Sequence, residues 1–180
     1  GRGVVADNQD KCWVAMGGDG VDGTIVEVPQ QASGLGWLPD GRLLVVAMLD
    51  RTVMRLEPDG AFVVHADLSG LAPGSCNDMV VDGYGRAYVG NFGFDLMAGA
   101  PIAPTVLLRV DPDGSVTVVA DDLWFPNGRV IPADNVLPVG ASLGHPVNAF
   151  DIHDEGSLAH RRGCPQSANP PTLRADPAPP

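Results

Sequence analysis

The sequence predicts an all-β protein built from repeated units of four antiparallel strands, and three observations support this prediction. The first is an internal repeat, because segment 33–46 aligns without a gap on 77–90 and a looser third copy runs over 127–140. The second is the spacing of 44 and 50 residues between the starts of these copies, which is typical of propeller blades. The third is a recurring Gly-terminated turn between apolar runs, a strong hairpin signal. Together these observations predict a β-propeller of four-stranded blades.

The second unit shows the pattern most completely. Its strands are predicted at 78–81, 86–90, 105–110 and 115–120, where β-forming residues are separated by turn residues. The first unit repeats the outer hairpin of the second unit, with strands at 52–56 and 61–66. In the third unit, residues 147–152 correspond to the first strand of that hairpin. Residues 93–104 lack this pattern, and we expect them to form a loop inserted into the second unit. That insertion accounts for the longer second interval.

The chain is predicted to hold about three blades and the edge of a fourth, in a partial propeller over residues 1–162. Residues 24–28 resemble an outer strand of the partial blade, whereas residues 163–180 hold six prolines and are predicted to be a disordered tail. Because a propeller needs at least four blades to close, we expect open blade edges and self-association through them. A β-sandwich is the alternative fold, but sandwiches do not repeat their turn chemistry in this way.

Composition excludes several classes of function. The 180 residues carry 22 acidic and 11 basic side chains, a net charge of −11, and no basic stripe that could track a phosphate backbone. Nucleic-acid binding is therefore not expected. No apolar run reaches about 18 residues, so no membrane span is predicted. The three cysteines (Cys12, Cys76 and Cys164) form no CxxC pair, which fits a reducing compartment, and we predict a cytoplasmic protein.

The repeat also predicts where chemistry could occur. In a propeller the innermost strands line a central channel, so residues at equivalent strand starts form a ring at one mouth. Here those residues are Ser33, Asn77 and Asn127, and Asp78 follows Asn77. Asn and Asp oxygens suit calcium or another hard divalent cation. The same residue types also cap turns and tolerate left-handed backbone, so the spacing alone leaves both interpretations open.

Three segments make the chain resemble the gluconolactonase family, which includes regucalcin (senescence marker protein) and the luciferin-regenerating enzyme. These segments are 33–56, 76–95 and 125–128, and the resemblance covers roughly residues 23–162. The resemblance implies a six-bladed propeller with one divalent cation in the channel, calcium or else zinc or manganese. It also implies hydrolysis of sugar lactones or related esters, with a small-molecule lactone as the partner.

The resemblance further implies roles for four residues. Asn127, in a Pro-Asn-Gly setting, matches a metal ligand, and Asn77 matches a residue that contacts metal-bound water or substrate. Asp78 is the candidate catalytic residue, and Asn91 is a candidate substrate contact. The family's other two ligands, an early Glu and a late Asp, have no evident match in this sequence.

Other functions stay open at this stage. A non-catalytic propeller that binds a metal or ligand would keep Asn77 and Asn127 without turnover. A different propeller enzyme, such as one resembling strictosidine synthase, would share the architecture without this metal site. A truncated, non-functional fragment is the third alternative. Phe92 and Phe94 are expected to pack between blades, with a position at a substrate mouth as the alternative for one of them.

Overall fold

A computed structural model gives the fold, and it describes residues 12–16, 24–28, 31–129, 131, 135–141 and 147–164. Every regular element in this part of the chain is a β-strand. None of the described residues belongs to a helix long and apolar enough to cross a membrane.

The described strands form three four-stranded antiparallel sheets and one strand pair. The strand pair consists of β1 (Cys12–Met16) and β2 (Thr24–Val28). The first sheet consists of β3 (Ala32–Trp37), β4 (Leu43–Ala47), β5 (Thr52–Leu56) and β6 (Phe62–Asp67). The second sheet consists of β7 (Cys76–Val81), β8 (Ala87–Asn91), β9 (Thr105–Val110) and β10 (Val116–Leu123). The third sheet consists of β11 (Pro126–Arg129), β12 (Val136–Ala141), β13 (Val147–Ile152) and β14 (Leu158–Cys164).

Each four-stranded sheet is a meander in which neighbours in sequence are neighbours in space. The first strands of the three sheets lie together, because β7 contacts β3 on one side and β11 on the other. We call the three sheets the first, second and third blades, and β3, β7 and β11 their inner strands. The predicted all-β fold with four-stranded blades is confirmed.

Apolar residues fill the spaces between successive blades. Leu44, Val46 and Val53 of the first blade pack with Val89 and Leu108 of the second, all of them fully buried. Burial of this kind contributes on the order of 1.5–3 kcal/mol for each large aliphatic side chain. The first and second blades are therefore joined face to face by packed side chains rather than by a hydrogen-bonded β-ladder.

A second apolar layer joins the second blade to the third. It contains Tyr88 and Leu107 from the second blade, and Leu137, Val139 and Phe150 from the third. Burial raises the pKa of Tyr88 to about 12, so its hydroxyl stays protonated and donates to the Gly156 carbonyl at 3.1 Å. Leu107 and Leu108 are consecutive in β9, and the alternation of a strand sends them into different layers.

Polar groups fasten the same two blades at the end of the sheets opposite the inner-strand starts. Asp82 and Arg86 form a buried ion pair, with 2.6 Å between Arg86 Nε and Asp82 Oδ2. Arg86 also donates to the Asp154 carbonyl at 2.5 Å, and Arg109 donates to the Glu155 carbonyl at 3.0 Å. Two arginines of the second blade therefore hold the outer turn of the third.

The described strands differ from the sequence prediction at the two ends. β1 was not predicted, because its surroundings in the sequence are polar and rich in glycine, and it pairs with β2. β14 continues to Cys164, two residues past the predicted end of the propeller at residue 162. The domain boundary and the disordered tail stay predictions, since residues 165–180 lie outside the described part of the chain. The loop predicted at 93–104 is confirmed between β8 and β9.

Acid is expected to weaken one ion-pair cluster on the third blade. Arg162 and His160 both hydrogen-bond to Asp151, and they lower the pKa of its carboxyl from 3.8 to about 2. A lowered folded-state pKa stabilises the protein above the unfolded value, and that contribution is lost as pH falls through the folded value. Urea midpoints should therefore fall less between pH 4 and pH 2 in Asp151→Asn than in wild type. Asp154→Asn, at a nearby exposed carboxyl, serves as the control, and parallel pH profiles for Asp151→Asn and wild type would contradict the prediction.

Candidate functional site

Each inner strand is irregular at the position that the repeat alignment singled out. The register of β3 against β4 shifts between Ala32 and Leu35, and that of β7 against β8 shifts between Cys76 and Met79. The register of β11 against β12 shifts between Asn127 and Arg129. β-Bulges of this kind bend a strand and re-aim its side chains, and they are common beside active sites. The three bulges bring Ser33, Asn77 and Asn127 to equivalent places on neighbouring strands.

The inner strands approach one another closely at these bulges. A Cβ atom added at Gly34 would lie 2.5 Å from the backbone nitrogen of Met79, so only glycine fits there. On the other side of β7, the Asn77 amide donates from Nδ2 to the Pro126 carbonyl of the third blade at 2.8 Å. Gly34 and Asn77 thus set the spacing of all three inner strands.

Asn77 carries the most informative single atom of the site. The residue is only 4% exposed, and its Oδ1 has no hydrogen-bond partner among the residues that the structure describes. A buried polar atom without a partner costs about 1–3 kcal/mol, which a native fold seldom tolerates without a reason. A hydroxyl, a water molecule or a cation would satisfy this oxygen.

Asp78 and Asn127 lie beside Asn77 in less enclosed positions. The half-buried Asp78 accepts a hydrogen bond from the Met79 amide at Oδ1, at 2.9 Å. Asn127 is exposed, directly after the Pro126 carbonyl that Asn77 contacts. The structure therefore brings the candidate catalytic residue and the candidate metal ligand to the same region.

Asn91 has a different environment from the one that the sequence predicts. It is fully buried, its Nδ2 donates to the Val106 carbonyl at 3.0 Å, and its Oδ1 accepts from Gly93 N and Thr105 Oγ1. These bonds occupy its amide inside the second blade. Asn91 therefore closes the base of the 93–104 loop, and it has no exposed surface with which to touch a substrate.

Sequence reasoning missed two contributors to the site, the Pro126 carbonyl and the ring of Phe125. Phe125 stacks on Phe92, with ring centroids 4.6 Å apart and planes 12° apart, and it lies 6.1 Å from the Phe94 centroid. A backbone carbonyl gives no signal in a sequence. The aromatic contact could have been found by placing the residues just before Asn127 beside those just after Asn91.

The oxygen donors at this site suit a hard divalent cation in kind, since they are amide and carboxylate oxygens. The unpartnered Oδ1 of Asn77 also agrees with a ligand at this place. However, no group of three or more His, Cys, Asp or Glu side chains converges anywhere in the described part of the chain. Cation affinity grows with carboxylate charge, so these residues alone predict weak binding.

Comparison with known families gives a match over most of the chain. Residues 19–171 match the model described as the SMP-30/gluconolactonase/LRE-like region. The family resemblance predicted from the sequence is thereby confirmed. No curated protein matches the chain.

Solved structures with the same fold include several that carry names from this family. A gluconolactonase from Xanthomonas campestris superposes with a TM-score of 0.66 and 22% sequence identity, over 85% of this chain and 57% of that protein. A calcium-binding regucalcin from Agrobacterium tumefaciens gives 0.66 and 18%, over 86% of this chain and 51% of that protein. A virginiamycin B lyase from Staphylococcus aureus gives 0.63 and 14%, over 92% and 56%. At these identities the likeness shows the fold alone, and this chain spans slightly more than half the length of each relative.

Proposed function

Because this chain belongs to the SMP-30/gluconolactonase/LRE-like family, we propose that it provides part of a metal-dependent lactone hydrolase. The substrate class is a sugar lactone or related ester, and the site is the mouth formed by the three inner-strand bulges. The observation that carries the proposal is the buried, unpartnered Oδ1 of Asn77 at this mouth. A site built to receive a polar ligand leaves such an atom in the empty protein.

Each site residue has a distinct part in this proposal. Asn127 would hold a divalent cation through its amide oxygen, and a cation bound there would supply Lewis acidity toward a lactone carbonyl. The hydrogen bond from Asn77 to Pro126 fixes the amide plane, and Oδ1, which is buried, accepts a hydrogen bond from water or substrate once the inner strands admit it. Asp78 takes a proton from the attacking water at a carboxylate oxygen, as a general base. Asn91 supports the site by closing the 93–104 loop rather than by touching substrate.

A lactone assay tests this proposal directly. The purified chain should hydrolyse glucono-δ-lactone faster than buffer alone, in the presence of calcium, zinc or manganese, and a chelator should abolish the difference. Metal binding without turnover would instead favour a non-catalytic binding propeller. Turnover that is indifferent to chelator would contradict a metal-dependent reaction.

Asn77→Ala is expected to lower kcat/KM for the lactone by about 10- to 100-fold. This range corresponds to the loss of one hydrogen bond of about 1.5–3 kcal/mol to a charged or developing charged group. Asn148→Ala is a matched control, because Asn148 lies in β13, away from the inner strands, and its amide oxygen also takes part in a hydrogen bond, from Arg161 Nε at 2.9 Å. Equal losses of activity in the two variants would mean that Asn77 acts only through folding.

Two further expectations belong to this proposal. Open blade edges are expected to promote self-association, which sedimentation velocity measures as a concentration-dependent shift to larger species. A monodisperse monomer at all concentrations would contradict self-association.

The cytoplasmic location stays a prediction from cysteine usage, and a thiol-trapping experiment in cells would test whether the cysteines are reduced.

A further inference from the structure

We propose that Phe92, Phe94 and Phe125 form an aromatic wall that gives the site a preference for lactones with an apolar ring or alkyl substituent. This inference rests on the proposed function and deepens it by adding, among lactones and related esters, a preference for an apolar substituent over the hydroxyl groups of a sugar. Phe92 and Phe94 follow β8 in the second blade, and Phe125 precedes β11 in the third. The stacked pair of Phe92 and Phe125 therefore bridges two blades on the side where the inner strands begin.

The wall is continuous with the candidate site. The Phe92 amide donates to the Ser75 carbonyl at 2.9 Å, two residues before Asn77. On the third blade, Phe125 is bonded directly to Pro126, whose carbonyl accepts from Asn77 Nδ2. Gly74 lies against the same loop, because an added Cβ there would be 2.8 Å from the Phe94 carbonyl oxygen. The backbone that carries the three rings thus contacts Gly74, Ser75 and Asn77, at and just before the start of β7.

The wall is also held in place before any ligand arrives. Asn91 ties Gly93, Thr105 and Val106 together at the base of the loop. Phe125 has a φ of 47°, a left-handed conformation that costs a bulky residue energy and persists only when its surroundings impose it. Such strained residues cluster at functional sites, and a fixed ring avoids the ordering cost of binding.

Two of the three residues keep part of their surface exposed. Phe92 and Phe125 are half-buried, whereas Phe94 is 7% exposed and supports Phe125 from the side. The same loop then presents Leu96, Met97 and Ile102, which are 46%, 85% and 49% exposed. Stacked rings followed by exposed apolar side chains suit an apolar substituent better than a fully hydroxylated one. The wall therefore predicts selectivity among lactones rather than catalysis itself.

The test compares two lactones that differ by one ring, γ-butyrolactone and γ-phenyl-γ-butyrolactone. Their dissociation constants and hydrolysis rates are measured with the full 180-residue chain in the presence of divalent cation. We expect the phenyl lactone to bind about 3- to 10-fold more tightly, the range of a favourable aromatic pair. Phe92→Leu should reduce this ratio toward one. Phe62→Leu, on β6 of the first blade, is the matched control and should keep the ratio.

Each outcome has a definite meaning. If Phe92→Leu does not fold, Met97→Ser on the exposed end of the loop provides the second variant, and it should lower the ratio by a smaller factor. A ratio near one in wild type, or a ratio that neither variant changes, overturns the wall while leaving lactone hydrolysis intact. If neither γ-lactone is bound or hydrolysed while glucono-δ-lactone is hydrolysed, the wall is overturned and lactone hydrolysis stands. Failure with all three lactones overturns the proposed function and, with it, the wall.

Discussion

Arg86→Met is expected to lower the free energy of unfolding by about 3–5 kcal/mol, the usual cost of removing one partner from a buried ion pair. The side chains of Arg86 and Asp82 are 8% and 5% exposed, so the variant leaves the Asp82 carboxylate buried without its cation. Burial alone would lower the pKa of Arg86, but the hydrogen bond and charge of Asp82 outweigh it and raise that pKa. Arg86 also loses its bond to the Asp154 carbonyl, which joins the second blade to the third. Urea unfolding followed by circular dichroism measures the loss.

The internal repeat supplies a matched control for this experiment. Arg42 occupies the same repeat position in the first blade, where it pairs with Asp40 at 2.7 Å. The Arg42 and Asp40 side chains are 33% and 51% exposed, so solvent screens the pair and Arg42→Met should change stability little. Replacing both buried partners, as in Asp82→Leu with Arg86→Met, should recover part of the loss. Equal effects of Arg42→Met and Arg86→Met would contradict the account of the buried pair.

Leu107→Ala and Leu108→Ala are each expected to cost about 2–5 kcal/mol, the range for a buried leucine that leaves a cavity. Both residues are fully buried, although they are consecutive in β9. Leu108 packs in the layer between the first and second blades, whereas Leu107 packs between the second and third. Because the side chains fill separate layers, the double variant should lose nearly the sum of the two single losses. Chemical denaturation of the three variants measures this additivity.

Val118→Ala in the neighbouring strand is the control, since Val118 is 43% exposed and should tolerate truncation. If one face of the second sheet were exposed to solvent, one of the two leucine variants would lose no more free energy of unfolding than Val118→Ala. That result would contradict the packing of blades on both faces of the second sheet.

The strands were predictable because their signals are local. The outer hairpin of the first blade is an example. Residues 52–56 are mostly β-forming residues, and the turn 57–60 that follows them ends in Gly60 with a φ of 86°. The strand β1 escaped prediction because Cys12–Met16 is five residues long and lies among polar and glycine residues. Its pairing with β2 depends on a partner that the local pattern does not identify.

The candidate site was predictable only in part, for a different physical reason. Aligning the repeats placed Asn77 and Asn127 at equivalent strand starts, and the bulges at those positions agree with that alignment. The role of Asn91 could not be predicted, because the bonds that bury it come from residues 14 and 15 positions later in the chain. The stacking of Phe125 on Phe92 could not be predicted either, because it depends on how two blades pack against each other. Local chemistry indicates which residues could act, while packing decides which of them can be reached.

The most direct test of the proposed cation site is a thermal melt of the chain with calcium, zinc or manganese and with chelator, for wild type and Asn127→Ala. At about ten times the dissociation constant, a bound cation should stabilise wild type by about 1.4 kcal/mol and raise its Tm by a few degrees. Because Asn127 is exposed, its truncation should change the melt in chelator little and remove the shift with metal. Identical melts with metal and with chelator in wild type would contradict a cation site at the inner-strand mouth.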